Sequence, residues 1–254
     1  MSPKSVLITG ASRGLGFEFV KCILSQPSPP EILFATCRDP SSADALQALA
    51  KENDSLKILK MDVTKDSEIE SAFEETQRTL EDKGLNLLIN NAGIYDKSDS
   101  GSLETQTRER LQSHFETNVT APVLTVKQFL PLLKRAAANN ASLPMSYNRA
   151  AVVNVSSSMG SVQRTLEGSA YNGCHYRATK TALNMLTATM SSELKDCGIL
   201  VAAIHPGWVK TDMGGQQAAL DKSTSIENCW SVISSMKETS TGKMLSYDGS
   251  VMPW

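Results

Sequence analysis

Tyr176 and Lys180 stand four residues apart, a spacing that on a helix sets a phenol and an ammonium on one face, one turn from each other. A free phenol titrates near ~10, too high to exchange protons well near neutral pH, but a neighbouring positive charge favours the phenolate and brings it down. Such a pair can hand a proton to a carbonyl oxygen or take one back. Tyr171 competes for the role, yet four residues on it meets His175 instead of a lysine. Three serines, Ser156, Ser157 and Ser158, follow an apolar run at 150–155. A hydroxyl there could hydrogen-bond the same oxygen as negative charge develops on it.

A second group of residues suits an anion. Residues 6–16 read as a buried strand, a turn of the form Gly10-x-x-x-Gly14-x-Gly16, and the start of a helix. Glycines allow close backbone approach, and the first free N–H groups of the helix point at whatever sits there, most often a dinucleotide pyrophosphate. After the next strand come Cys37 and Arg38, where an acidic residue would accept hydrogen bonds from the ribose of NAD. Arg38 together with Arg13 can instead clamp a 2′-phosphate through charge-assisted hydrogen bonds, which points to NADP. The plainer alternative is a pair of surface arginines, with Asp39 as the partner of Arg38.

The elements that must position these groups follow from hydrophobic periodicity. Helical spacing marks 15–24, 41–52, 69–80, 107–135 and 223–237, and Leu183, Leu186, Met190 and Leu194 continue the helix that Tyr176 opens. Short apolar runs at 32–36, 56–61, 85–89, 150–155, 199–204 and 243–247 read as buried strands. Pro122 is expected to bend the helix at 107–135, and 136–148 reads as a polar connection. Strand and helix alternate, as in a parallel α/β sheet whose ligands bind at the carboxyl ends of the strands.

Four stretches together resemble the classical short-chain dehydrogenase/reductase family: Thr9-Gly10-Ala11-Ser12-Arg13-Gly14-Leu15-Gly16, Asn90-Asn91-Ala92-Gly93, a serine three residues before Gly160, and Tyr176-x-x-x-Lys180. The resemblance covers the chain nearly end to end. It implies an α/β doubly wound Rossmann domain of seven mostly parallel strands in the order 3-2-1-4-5-6-7, with helices on both faces. It implies NADPH-dependent reduction of an aldehyde, ketone or quinone carbonyl. Tyr176 is then the proton donor with Lys180 beside it, Ser157 binds the reacting oxygen, and Asn118 holds a water that links Lys180 to solvent.

For the cofactor the resemblance implies Gly10, Ser12, Arg13, Gly14, Leu15 and Gly16 at the phosphates, Arg38 at the ribose, and Asp62 with Val63 at the adenine. Asp62 can also serve the N-terminus of the next helix, and the two roles can coexist. Asn90, Ala92 and Gly93 line the same cleft with Tyr176 and Lys180. The Pro206-Gly207 corner, the backbone of Val209 and the hydroxyl of Thr211 face the nicotinamide. The stretch from His205 to Met213 and the ending from Ser246 to Trp254 are similar to the sniffer and C-factor type of carbonyl reductase. A sepiapterin reductase-like enzyme shares the turn after Thr9, and a nucleotide-sensing protein is the non-enzyme alternative. The presence of Asn118, Ser157, Tyr176 and Lys180 favours turnover, because a sensor needs no proton donor. The long interval from Ser157 to Tyr176 and the short segment at 212–223 imply an enlarged loop beside an open substrate site. The family commonly dimerises through the helices carrying Asn118 and Tyr176, so a homodimer is expected.

Composition narrows the partners. A net charge of -2, with 41% hydrophobic and 20% charged residues among 254, is ordinary for one large globular domain and gives no reason to expect nucleic acid or an anionic membrane. Five cysteines without Cys-x-x-Cys pairing read as reduced thiols, and His175 and His205 lack partners at metal-ligand spacing, so no metal is expected. The first strand begins about five residues in and no apolar run nears the ~18 residues of a membrane span, which makes the cytosol the expected compartment.

Overall fold

The computed structural model describes residues 3–98, 100–168 and 173–254. Its strands form one sheet: β1 (Ser5–Ile8), β2 (Ile32–Cys37), β3 (Leu56–Lys60), β4 (Leu87–Asn90), β5 (Ala151–Val155), β6 (Leu200–His205), β7 (Met244–Ser246) and β8 (Val251–Met252). The order is β3-β2-β1-β4-β5-β6-β7-β8, parallel as far as β7. The seven expected strands take the expected order. The eighth is a short antiparallel addition, turned back onto β7 by a bend in which Asp248 accepts from the Ser250 N–H and Gly249 takes φ 84.

Strand side chains alternate between two cores. Val6 and Ile8 face one, packed with α1 (Gly14–Leu24), α2 (Asp44–Glu52) and α8 (Lys222–Ser235), while Leu7 faces the other. That second core holds α3 (Asp66–Leu80), α5 (Ala121–Asn139) and α7 (Cys174–Leu194). Both faces of the sheet are covered, which is why strands β1, β4 and β5 are buried at every position. The order reverses between β1 and β4, and the crevice beyond their carboxyl ends is where a doubly wound sheet takes a dinucleotide.

The elements depart from expectation at two places. The helix at 107–135 forms without a gap but carries a π turn at Glu116–Thr120 between α4 (Arg108–Phe115) and α5. Pro122 explains the wide turn, since it has no N–H for the Asn118 carbonyl and its ring crowds that carbonyl. The ladder widens, and the Ala121 N–H reaches the Glu116 carbonyl. The supposed connection at 136–148 begins as helix, because α5 runs on to Asn139 with Ala136 and Ala137 buried. A short helix, α6 (Val162–Leu166), lies in the long interval between Ser157 and Tyr176. Among the described residues, no helix is long and apolar enough to cross a membrane.

Candidate active site

The glycine turn is built by the main chain. Gly10 takes φ 67 and Gly14 φ 59, the left-handed region that other residues avoid. A Cβ at Gly14 would meet nothing within 4 Å, so backbone angle alone requires that glycine. At Gly16 a Cβ would run into the Gly10 carbonyl and the Asn91 amide. Thr9 and Asn91 tie the turn to the end of β4: the Thr9 hydroxyl accepts the N–H groups of Asn91 and Ala92, each at 3.0 Å, and Asn91 Nδ2 donates to the Thr9 and Gly10 carbonyls at 2.9 and 3.1 Å. Asn91 was not singled out from the sequence. Asn90 was, but its side chain turns inward to Asn154 Oδ1 at 2.9 Å and is buried, which leaves it only main-chain atoms for a ligand.

The ribose end is a surface arrangement. Arg38 is exposed just past β2, and Asp39 is not its partner, since Asp39 Oδ1 accepts from the Ser41 N–H and hydroxyl at 3.0 and 2.6 Å. Arg13 reaches the other way, to Asp212 Oδ2 at 3.2 Å, with both side chains well exposed. Asp62 Oδ1 accepts from the Thr64 N–H and hydroxyl at 3.0 and 2.8 Å, so it caps the turn before α3 and not the helix. Val63 packs on the core beneath. Across the cleft the Pro206 carbonyl is held by Ser225, and Gly207 takes φ 85. Val209 is buried, and the Thr211 hydroxyl donates to its carbonyl and accepts the Gly214 N–H.

The catalytic candidates meet at the ends of β4, β5 and α7. The three serines differ in their surroundings: Ser156 is buried against Asn184 Oδ1 at 2.6 Å, Ser158 begins a 3-10 turn, and the Ser157 hydroxyl faces the Tyr176 phenol. Gly160 lies three residues after Ser157 because α7 crosses there, and a Cβ on it would stand 2.8 Å from that of Lys180. His205 accepts the Ser158 N–H at 3.2 Å and is thus accounted for as a loop anchor. Lys180 Nζ donates to the Val155 carbonyl at 2.8 Å and lies 5.6 Å from the centre of the Tyr176 ring. Asn118, fully buried in the π turn, accepts the Ile94 N–H and donates to the Ile94 carbonyl and Thr179 Oγ1. Both atoms of its amide are therefore engaged. Any water it held would rest on its main-chain carbonyl, to which Pro122 offers no N–H. Tyr171 lies outside the described residues.

The short chain dehydrogenase profile matches residues 4–221. The chain belongs to that family. The carbonyl reductase Sniffer of D. melanogaster shares its fold with a TM-score of 0.95 and 39% identity, covering 99% of this chain and 100% of that one. The NADPH-bound carbonyl reductase from chicken fatty liver gives a TM-score of 0.94 at 39% identity, with both chains covered fully. In sequence, the C-signal protein of Myxococcus xanthus is 32% identical over 173 residues, 67% of this chain and 93% of that protein.

In this short chain dehydrogenase, burial raises Tyr176 above its ordinary value, outweighing the hydrogen bond from Ser157, and Tyr95 adds to the rise. Burial also brings Lys180 down, from 10.5 to about 8. A dry site penalises both charges. Sequence reasoning also missed Tyr95, whose ring stacks on that of Tyr176 with centroids 4.5 Å apart and planes inclined by 24°. Its place two residues past Gly93, in the loop at the end of a central strand, was the available signal.

Proposed function

We propose that this dehydrogenase is an NADPH-dependent carbonyl reductase acting on aldehydes, ketones or quinones. The observation that carries the reading is the convergence of Ser157, Tyr176 and Lys180 at the strand ends beside the glycine turn. The residues present fit NADPH: Gly14 supplies a left-handed turn at a helix N-terminus, Arg38 is exposed past β2, and Oδ1 of the adjacent Asp39 accepts from Ser41. When bound, the nicotinamide supplies the hydride.

The protein's own residues do the rest. Ser157 donates a hydrogen bond to the substrate oxygen, and Tyr176 delivers its hydroxyl proton there as charge develops. Burial keeps Tyr176 protonated, which suits a donor. Lys180 stabilises the phenolate left behind, and a water held by the Asn118 carbonyl would link Lys180 to solvent. Support for NADPH over NADH comes from Arg38 and from the NADPH bound in the chicken enzyme. The same reading takes a homodimer packed through α4, α5 and α7, on which Phe115 and Met185 stand exposed.

The test is loss of NADPH absorbance with a panel of quinones, aldehydes, ketones and pterins. Turnover of the first three classes is expected. Preference for pterins would favour a sepiapterin reductase-like role, and tight NADPH binding without turnover on any carbonyl would overturn the reductase reading.

A further inference from the structure

The stacking partner of Tyr176, Tyr95, sits in a loop anchored at its next residue. Asp96, the next residue after Tyr95, is fixed on every side. Its N–H donates to His114 Nε2 at 3.0 Å, its carbonyl faces His175 Nε2 at 3.1 Å, and its carboxylate takes Arg110 Nε at 3.0 Å and the Ser98 N–H at 2.8 Å. His114 and His175 are both buried, and their rings meet edge to face at 4.4 Å. His114 Nδ1 faces the Arg110 carbonyl and His175 Nδ1 faces Gln106 Oε1. Since His175 immediately precedes Tyr176 on α7, one buried pair of imidazoles sets the register between the loop and the proton donor. The segment entering α7 also makes room: Gly173 takes φ 103, and a Cβ there would stand 2.8 Å from the Tyr95 hydroxyl.

We propose that Tyr95 is a positioning residue for proton transfer: its ring, clamped through Asp96 by His114 and His175, covers one face of Tyr176, excludes water from it and fixes its angle toward the substrate. The proposal rests on the reductase reading of the site and adds a residue to it. A stacked aromatic wall withdraws the phenol from solvent, and a dry phenol keeps its proton until the substrate oxygen takes it. The groups facing Tyr176 are Lys180 from α7, Ser157 from the end of β5 and Tyr95 from the loop. Lys97 lies 5.5 Å from the centre of the Tyr95 ring, and Arg177 also acts on the Tyr95 phenol. Removing the Tyr95 ring lets water reach Tyr176 and leaves the two lysines and Ser157 in place, so the phenol should ionise at lower pH.

Tyr95→Ala and Tyr95→Phe separate this role from a structural one. In Tyr95→Ala, kcat for carbonyl reduction should fall about 2- to 10-fold, the loss expected of one aromatic pair. The alkaline limb of kcat should move at least about one pH unit toward neutrality, as for a phenol returned to water. NADPH affinity should not change. Tyr95→Phe keeps the stack and should restore both kcat and the limb. A Tyr95→Ala enzyme with wild-type kcat and an unmoved limb, or a loss confined to KM, overturns the proposal and makes Tyr95 a substrate wall. If Tyr95→Ala does not accumulate folded, Tyr95→Leu fills the space without a flat face and must show the same shift; a wild-type profile in it is equally fatal. A readout free of turnover is phenolate absorbance, taken as the difference between each protein and its Tyr176→Phe counterpart. Its midpoint should fall in Tyr95→Ala whether or not a substrate is known, so absent turnover in the wild type would sink the reductase reading while this titration still decides the role of Tyr95.

Discussion

At the glycine turn the geometry belongs to the main chain, whereas around Tyr176 it belongs to side chains gathered from distant segments. Gly14 needs only its backbone angle, Gly16 only the absence of a Cβ, and Gly10 both. Tyr176, by contrast, is placed by Tyr95, by Ser157 and by a histidine pair from two helices, and Lys180 is held by a strand carbonyl. The first region is held by backbone angles and close contacts. The second carries the burial of an ammonium and a phenol. Main-chain sites are built once and shared widely, while the chemistry depends on a packed and electrostatically costly platform.

The sharpest way to break this comparison is Tyr176→Phe. General acid catalysis contributes roughly 10²- to 10⁴-fold, so kcat should fall by about that factor while NADPH affinity, set at the other region, holds. Calorimetric titration of NADPH into the variant checks the second half. A parallel loss of cofactor binding would mean that the two regions are one.

Next in size is Lys180→Met, which removes the buried charge. Lys180 is lowered to about 8 in the folded protein against 10.5 when free. Between those values the unfolded chain binds more protons than the folded one, so wild-type stability climbs with pH across that window. The drop corresponds to about 3 kcal/mol. The variant should be inactive, and its stability relative to wild type should be greatest at pH 7 and decline by about that amount toward pH 10.5. The lost hydrogen bond to Val155 is a constant offset. Urea unfolding at several pH values reads the difference, and a pH-independent gap would contradict a costly Lys180.

Arg38→Ala probes the other region. A hydrogen bond to a charged group contributes about 1.5 to 3 kcal/mol, so NADPH should bind roughly 10- to 150-fold more weakly with NADH little affected. Equal losses for both cofactors would remove Arg38 from the 2′-phosphate. The smallest effect is expected of Asp212→Asn, which frees Arg13 from an exposed ion pair. Such a pair is worth about 0 to 1 kcal/mol, so NADPH affinity should rise by no more than about fivefold. A loss of affinity would show Asp212 supporting the cofactor loop and not competing for Arg13.

Legibility followed the same division. The glycine turn and the Tyr176–Lys180 pair could be read because each is a constraint within a few residues of chain, and the sheet order followed from alternating strands and helices. That the side chain of Asn91 ties the glycine turn while that of Asn90 points inward was not legible, because which of two adjacent asparagines points inward depends on their placement at the end of β4. Tyr95, His114 and the closed amide of Asn118 were beyond reach for a related reason: their partners lie across the loop and on α7, and no local period encodes those distances. Pro122 was visible, but the wide turn before it was not, since that turn carries Asn118, whose amide partners, Ile94 and Thr179, lie far along the chain.

The π turn also makes this stretch intolerant of a missing residue. A helix carrying such a bulge holds one residue more than a straight helix spanning the same distance, and the surplus here falls at Glu116–Thr120, between the part that holds His114 and the part that packs on α3. Deleting Thr117 would remove the residue that the wide turn absorbs and press the Pro122 ring against the carbonyl one turn before it, at a cost of about 3 kcal/mol or more. The displacement would fall on Asn118, whose amide ties the loop at Ile94 to Thr179 on α7. Chain length at this point is therefore as much a part of the active site as any side chain, and a shortening that leaves every catalytic residue in the sequence would still dismantle it.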